Sequence, residues 1–152
     1  MCEIACALKH EGVPDPLFSR IKIFEYIPGI PVPQLCVQCP DYPCVDACVF
    51  NAMYVDEKTG AVIVDKDKCT ACGLCIKACP GNIPRRVKDL KYVLICDLCG
   101  GDEPECVKIC QKLGHNALIK APKHPGQGAK LYAVAPDKIQ TMLVKKILGV
   151  EV

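Results

Sequence analysis

The segment CTACGLCIKACP places thiols at Cys69, Cys72, Cys75 and Cys79 with the spacing C-x2-C-x2-C-x3-C-P. Three thiolates at two-residue gaps lie on one looping segment and reach three corners of an iron–sulfur cube. The fourth, carried onto a following helix, points away from that cube and serves a neighbouring one. Gly73 lets the backbone crowd the cluster, and Pro80 turns the chain off after the last ligand. An earlier segment, CVQCPDYPCVDAC, repeats the layout at Cys36, Cys39, Cys44 and Cys48, with four residues between the second and third thiols and Pro40 and Pro43 stiffening the detour. Exchanging the fourth thiols completes two sites: Cys36, Cys39, Cys44 with Cys79, and Cys69, Cys72, Cys75 with Cys48.

A third group, CDLCGGDEPECVKIC, holds Cys96, Cys99, Cys106 and Cys110 and spreads six residues between its second and third thiols. By the same exchange its first three thiols need a fourth from elsewhere, and Cys110 looks outward. Only the opening pair in MCEIACALKHEG, Cys2 and Cys6, is left to supply it. Tetrahedral zinc calls for two CxxC pairs, whereas CTACGLC offers three consecutive thiolates and then a fourth on a helix. The repeat of that layout argues for [4Fe-4S] clusters over zinc.

Composition supports a metal protein in a reducing compartment. Fourteen cysteines in 152 residues are far beyond ordinary usage. There is no secretory leader of the kind a disulfide framework requires and no apolar run approaching the roughly 20 residues of a membrane span. A cytoplasmic setting with free thiols is expected. The polypeptide's net charge of +2, its scattered lysines and its lack of tryptophan exclude a basic stripe or base-stacking platform, and with them a nucleic-acid role. Three clusters, at about −2 each when oxidised, would make the loaded chain acidic. No catalytic residues are expected. His10, His115 and His124 have no nucleophile or spaced carboxylate partner, and His10 suits a local hydrogen bond better than a metal. GGDEPE is a loop between ligands rather than a dinucleotide fingerprint, and HPGQGAK (His124 to Lys130) reads as a surface connection without a phosphate-loop pattern.

The elements that position these thiols are short. RIKIFEY (Arg20 to Tyr26) alternates and predicts a strand, whereas IPGIPVP (Ile27 to Pro33), broken by three prolines and a glycine, predicts irregular chain. AMYVDEKTGAVIVD (Ala52 to Asp65) predicts a hairpin, and KYVLIC (Lys91 to Cys96) a strand that delivers the third group. PDKIQTMLVKKILGV predicts an amphipathic helix over 135–150, with Pro136 in its first turn and Ile139, Met142, Leu143 and Ile147 on its packed face. The fold class is α+β, a bacterial-ferredoxin-like arrangement of pseudo-twofold repeats in one polyferredoxin domain over 1–152. Residues 36–79 form its two-cluster core, 1–35 with 96–118 the third site, and 135–150 the terminal helix.

The order of the groups, the hairpin after the first complete one, CALKHEG near the start and CDLC in the last resemble the multi-cluster electron-transfer subunits that accompany molybdenum or tungsten oxidoreductases. CALKHEGVPDPLFSRIKIFEY is most similar to partners of the tungsten-containing aldehyde oxidoreductase family, which includes ATP-independent (class II) benzoyl-coenzyme A reductase. In four-cluster members of that family the opening group crosses with the last. Cys2 and Cys6 match the third and fourth cysteines of that opening group, whose first two have no counterpart after Met1. The resemblance therefore implies Cys6 as the ligand that joins Cys96, Cys99 and Cys106, giving three [4Fe-4S] clusters, with Cys2 and Cys110 non-ligating. A start upstream of Met1 would restore a fourth. It also implies a relay of single electrons to or from a large tungsten- or molybdenum-pterin catalytic subunit, plausible for ring dearomatisation by benzoyl-coenzyme A reductase. A further donor or acceptor subunit, or a ferredoxin, would complete the circuit. An aldehyde oxidoreductase partner, or a free-standing polyferredoxin, is the alternative.

Overall fold

The computed structural model describes residues 1–120 and 134–149. HPGQGAK, with His124, lies outside them, as does the last residue of the predicted helix range. The chain begins with α1 (Cys2–Glu11), closed by Gly12 at φ 72, whose N–H returns to the Leu8 carbonyl. A 3-10 turn (Pro16–Phe18) follows, with Asp15 accepting the Leu17 N–H as its cap.

Among the described residues, three separate two-stranded antiparallel ribbons make up the sheet structure. In the first, β1 (Lys22–Phe24) pairs with β2 (Val32–Gln34), with Ile23 opposite Pro33. The expectation of irregular chain through Pro33 is therefore corrected. Both strands of an isolated ribbon are edges, so a proline whose missing N–H would face outward is tolerated. The second ribbon is the predicted hairpin, β3 (Met53–Val55) against β4 (Val62–Val64), with Met53 opposite Val64. The third joins β5 (Arg85–Arg86) to β6 (Val93–Leu94), so the KYVLIC strand is present but narrowed.

Short helices carry the cysteine groups. α2 (Pro43–Asp46) holds Cys44, α3 (Leu74–Ala78) holds Cys75, and α4 (Glu105–Lys112) holds both Cys106 and Cys110. In the two central groups the fourth thiol does not ride on a helix as expected. Cys79 is the extended residue that ends α3, and Cys48 lies two residues beyond α2. The core gathers Cys44, Met53, Val62, Cys75, Val93 and Ile95, with Cys36, Cys48 and Cys69 packed on it. Much of this interior is sulfur rather than hydrocarbon.

The C-terminal helix α5 (Pro136–Leu148) forms as predicted, with Ile139 and Leu143 of the predicted face half-buried, but its most buried line lies to one side of that face. Pro136, Gln140 and Val144 are its buried residues, whereas Met142 and Ile147 are exposed. The apolar pattern misjudged the face because its centre is polar. The Gln140 side-chain oxygen accepts the N–H groups of Tyr26 (3.0 Å) and Ile27 (3.1 Å), and its amide donates to the Ile30 carbonyl. One fully buried amide thus satisfies three backbone groups in the β1–β2 connection and pins the end of the chain to its beginning. Gln140→Leu conserves volume but leaves those groups unpaired, and it is expected to cost about 2–4 kcal/mol. The check is denaturant unfolding together with faster amide exchange at Tyr26 and Ile27; an unchanged midpoint and unchanged exchange would contradict it.

Candidate metal centre

No disulfide joins any of the fourteen cysteines. The first C-x2-C loop of each of the three groups uses the same backbone device. The residue before the second cysteine adopts a left-handed conformation: Gln38 at φ 50, Ala71 at φ 51 and Leu98 at φ 55. That conformation curls the loop so that its flanking thiols converge, and for non-glycine residues it carries strain. Gln38 is also buried and ties the first loop to two others. Its amide donates to the Cys96 carbonyl (2.8 Å) and its oxygen accepts the Val62 N–H (2.9 Å).

A second repeated device, which the sequence reading missed, surrounds the fourth thiol of each group. Asn51, Asn82 and Asn116 adopt φ 47, 50 and 46, and the N–H of the next residue points back at sulfur. Ala52 donates to Cys48 Sγ (3.3 Å), Ile83 to Cys79 Sγ (3.4 Å) and Ala117 to Cys110 Sγ (3.3 Å). The signal was present as an asparagine soon after each fourth cysteine, in CVFNA, CPGNI and HNA. Asparagine is the non-glycine residue best suited to a left-handed turn.

The thiols fall into electrostatic neighbourhoods that cross between groups. Burial pushes Cys75 up to about 11, and Cys69, Cys72 and Cys48 add to the rise. A cavity is lined by those same four thiols together with Phe50, Leu74 and Val93. Burial likewise pushes Cys44 up to about 11, with Cys79 its strongest thiol neighbour and Cys75 and Cys39 behind it. Cys36 is raised by burial and by Cys96, Cys44 and Cys79. In the last group burial lifts Cys106 to about 11, with Cys6, Cys99 and Cys2 contributing, and Cys96 to about 12, with Asp97, Cys106 and Cys6 contributing. Cys99 rises through burial, Asp97 and Cys6.

Cys6 reaches this last neighbourhood because α1 packs on α4. It is buried and accepts the Arg20 N–H at 3.3 Å. Cys2, one turn earlier on α1, is half-buried. His10 makes no local bond of the kind expected. Its Nε2 lies 3.5 Å from Cys99 Sγ and 3.6 Å from an Asp97 carboxylate oxygen, across the packed helix. His115 is exposed.

A donor set of buried thiols that repel one another as thiolates, several held by N–H donors, fits an electron-deficient iron–sulfur core. Iron supplies the positive charge that burial alone withholds. Among the described residues no helix is long and apolar enough to cross a membrane.

Comparison with known proteins agrees with this chemistry. A family profile described as the 4Fe-4S dicluster domain matches residues 29–120. The polyferredoxin-like subunit of an aliphatic sulfonate oxidoreductase from Pyrococcus furiosus is 49% identical over 98% of this chain and 86% of its own length. An uncharacterized ferredoxin of Methanocaldococcus jannaschii is 39% identical over 73% of this chain and 60% of its own. The iron–sulfur subunit of the nitrate-inducible formate dehydrogenase of Escherichia coli is 39% identical over 49% of this chain but only 27% of its own length. The chain belongs to the 4Fe-4S dicluster family and has its ferredoxin-like fold of short antiparallel ribbons and helices, with a helix at the C-terminus.

Proposed function

We propose that the chain is an electron-transfer subunit, without chemistry of its own, that relays single electrons through three [4Fe-4S] clusters to or from a catalytic partner. Cluster 1 would be held by Cys36, Cys39, Cys44 and Cys79, cluster 2 by Cys48, Cys69, Cys72 and Cys75, and cluster 3 by Cys6, Cys96, Cys99 and Cys106. The observation that carries these sets is the crossing of neighbourhoods, with Cys44 beside Cys79 and Cys75 beside Cys48. Residues 1–152 would then form one polyferredoxin unit.

A [4Fe-4S] cluster supplies one-electron exchange with little geometric change. The chain's own residues fix the order of exchange. Cys36 of cluster 1 neighbours Cys96 of cluster 3, and Cys44 of cluster 1 neighbours Cys75 of cluster 2. The three ligand sets would therefore hold their clusters in a row, with cluster 1 in the middle. Cys72 is exposed beside exposed Leu74 and Phe50, which makes cluster 2 the end of the row that is open to solvent.

The relative matched along nearly the whole chain belongs to an aliphatic sulfonate oxidoreductase. It favours the alternative, with an aldehyde oxidoreductase partner or a free-standing polyferredoxin, over benzoyl-coenzyme A reductase, and shifts the catalytic partner toward a sulfonate oxidoreductase. The resemblance noted above makes a tungsten- or molybdenum-pterin subunit the partner of choice. Purified from native extract, the chain is expected to travel with a large subunit carrying tungsten or molybdenum, at about 12 irons per small chain. A stable, reducible monomer from the same extract would instead identify a free polyferredoxin. About 16 irons would mean that Cys2 and Cys110 also ligate, joined by two further ligands from a start upstream of Met1, a four-cluster reading favoured by one observation. Cys110 has the same N–H donor that serves Cys48 and Cys79.

A further inference from the structure

The third site differs from the two central ones in being ringed by ionised side chains. Arg20 is buried with its guanidinium against Asp97, and at 3.5 Å from Glu11. Glu11 also accepts the Tyr92 hydroxyl and lies 3.4 Å from Lys66, which sits over the Tyr92 ring at 4.4 Å. Asp97 accepts the Cys99 N–H at 3.0 Å. The network is anchored directly on two of the four thiols assigned to cluster 3: Arg20 touches Cys6 through its backbone N–H, and His10 touches Cys99 through Nε2. The thiols of the central sites feel chiefly one another, whereas Cys96 and Cys99 also feel Asp97.

Two donors in this ring belong to residues that touch the thiols of the site. Arg20 Nε–H is a buried donor with no partner among the described residues, although the rest of its guanidinium is paired. A buried donor is rarely left unsatisfied, so such a group signals an acceptor that the described residues do not supply. The Arg20 backbone N–H donates to Cys6 Sγ at 3.3 Å, which holds this residue against the site. His10 Nε2 faces two acceptors, Cys99 sulfur and the Asp97 carboxylate, so that nitrogen carries the ring proton. The Nε2, the carboxylate oxygen and the Cys99 sulfur lie within 4.8 Å of one another, but Cys99 belongs to the cluster set, so the trio is no separate metal site.

Resting on the three-cluster reading, we infer that Arg20 and His10 are positioning residues that donate N–H bonds to the sulfurs of cluster 3 and raise its reduction potential relative to an undonated site. The physics is direct. Reduction adds one electron, drawn from the reductant, to a cluster whose charge resides largely on sulfur. An N–H dipole or cation aimed at that sulfur stabilises the reduced form more than the oxidised one. Asp97 acts in the opposite direction, and its pairing with Arg20 keeps the half-buried carboxylate tolerable. Cluster 3, at one end of the row, would then hold an electron more firmly than it would without this ring.

The test is a redox titration of the full chain carrying its clusters, reduced by dithionite and followed by electron paramagnetic resonance, with iron content measured in parallel. His10→Phe removes one donor, and Arg20→Lys moves the nitrogen while keeping the charge opposite Asp97. Each is expected to lower one of the three potentials, leave the other two in place and keep about 12 irons. His10→Gln, whose amide can still donate, is expected to restore the wild-type value. Wild-type potentials in both donor variants at full iron content would overturn the inference. So would loss of cluster 3 in Arg20→Lys together with unchanged potentials in His10→Phe, since Arg20 would then be merely structural. About 8 irons in the wild-type chain would overturn the three-cluster reading itself, and the inference with it.

Discussion

Cys6→Ala is expected to remove one cluster of three, lowering iron from about 12 to about 8 per chain and abolishing one of the three reducible signals. Cys6 is 6% exposed, its sulfur accepts the Arg20 N–H, and it raises the thiol pKa of Cys96, Cys99 and Cys106 alike. An alanine there leaves three thiolates facing an open iron corner beneath α1, which no other described side chain is placed to close. Cys2→Ala is the matched control. Cys2 also lies on α1 and contributes to Cys106, but as the weakest of its named neighbours, and the variant is expected to keep about 12 irons. Retention of every iron in Cys6→Ala would sink the crossing between the opening pair and the last group. Loss of a cluster in Cys2→Ala would show that the two thiols had been assigned the wrong way round.

How much of this was legible in the sequence depends on which force sets each feature. The central thiols could be grouped from spacing alone, because three ligands in one loop must follow the geometry of a cube. The β3–β4 hairpin could be read because its strands are β-branched and its turn contains Gly60 at φ 67. Neither β2 nor β5 could, since Pro33 and the pair Arg85–Arg86 argue against strands. Those ribbons are held by tertiary contacts instead: the Arg85 guanidinium donates to the Leu17 and Ser19 carbonyls, and Gln140 clamps the connection after β1. The buried face of α5 was misjudged for the same reason. A pattern of apolar residues cannot show that a glutamine will find three backbone partners more than a hundred positions away. His10 was expected to bond locally because its partners, Cys99 and Asp97, are 89 and 87 residues distant and come together only when α1 packs on α4. The asparagine loops behind Cys48, Cys79 and Cys110 were readable in principle, but their meaning lies in a backbone N–H, which a side-chain pattern does not advertise.

Stripping the clusters under reducing conditions is expected to remove most of the stability of the region 36–110 and to make the remainder sensitive to alkali. The ribbons there contain only two or three residues per strand, too few to stand alone. Their interior contains Cys44 and Cys75 where a larger domain would place bulky aliphatic side chains. Iron–thiolate bonds therefore act as folding free energy, as in other small metal-bound domains. Without iron, the folded chain keeps these thiols protonated: burial raises Cys44, Cys75 and Cys106 from 9.0 to about 11 and Cys96 to about 12. The unfolded chain gives up its protons first, near the ordinary value. Above about pH 9 the unfolded state therefore binds fewer protons than the folded one, and stability falls with rising pH until the folded thiols also ionise near 11–12. Below about pH 9 both states hold their protons and this contribution is constant. The cluster-bearing chain has no such window, because its ligating thiolates have already exchanged protons for iron. Urea unfolding followed by far-ultraviolet circular dichroism, at about pH 7 and about pH 10, is expected to show a lower midpoint at the higher pH for the stripped chain alone. Equal midpoints for the stripped chain would mean that its thiols are not buried together without iron. The crossing neighbourhoods would then be a consequence of cluster binding rather than a preformed cradle for it.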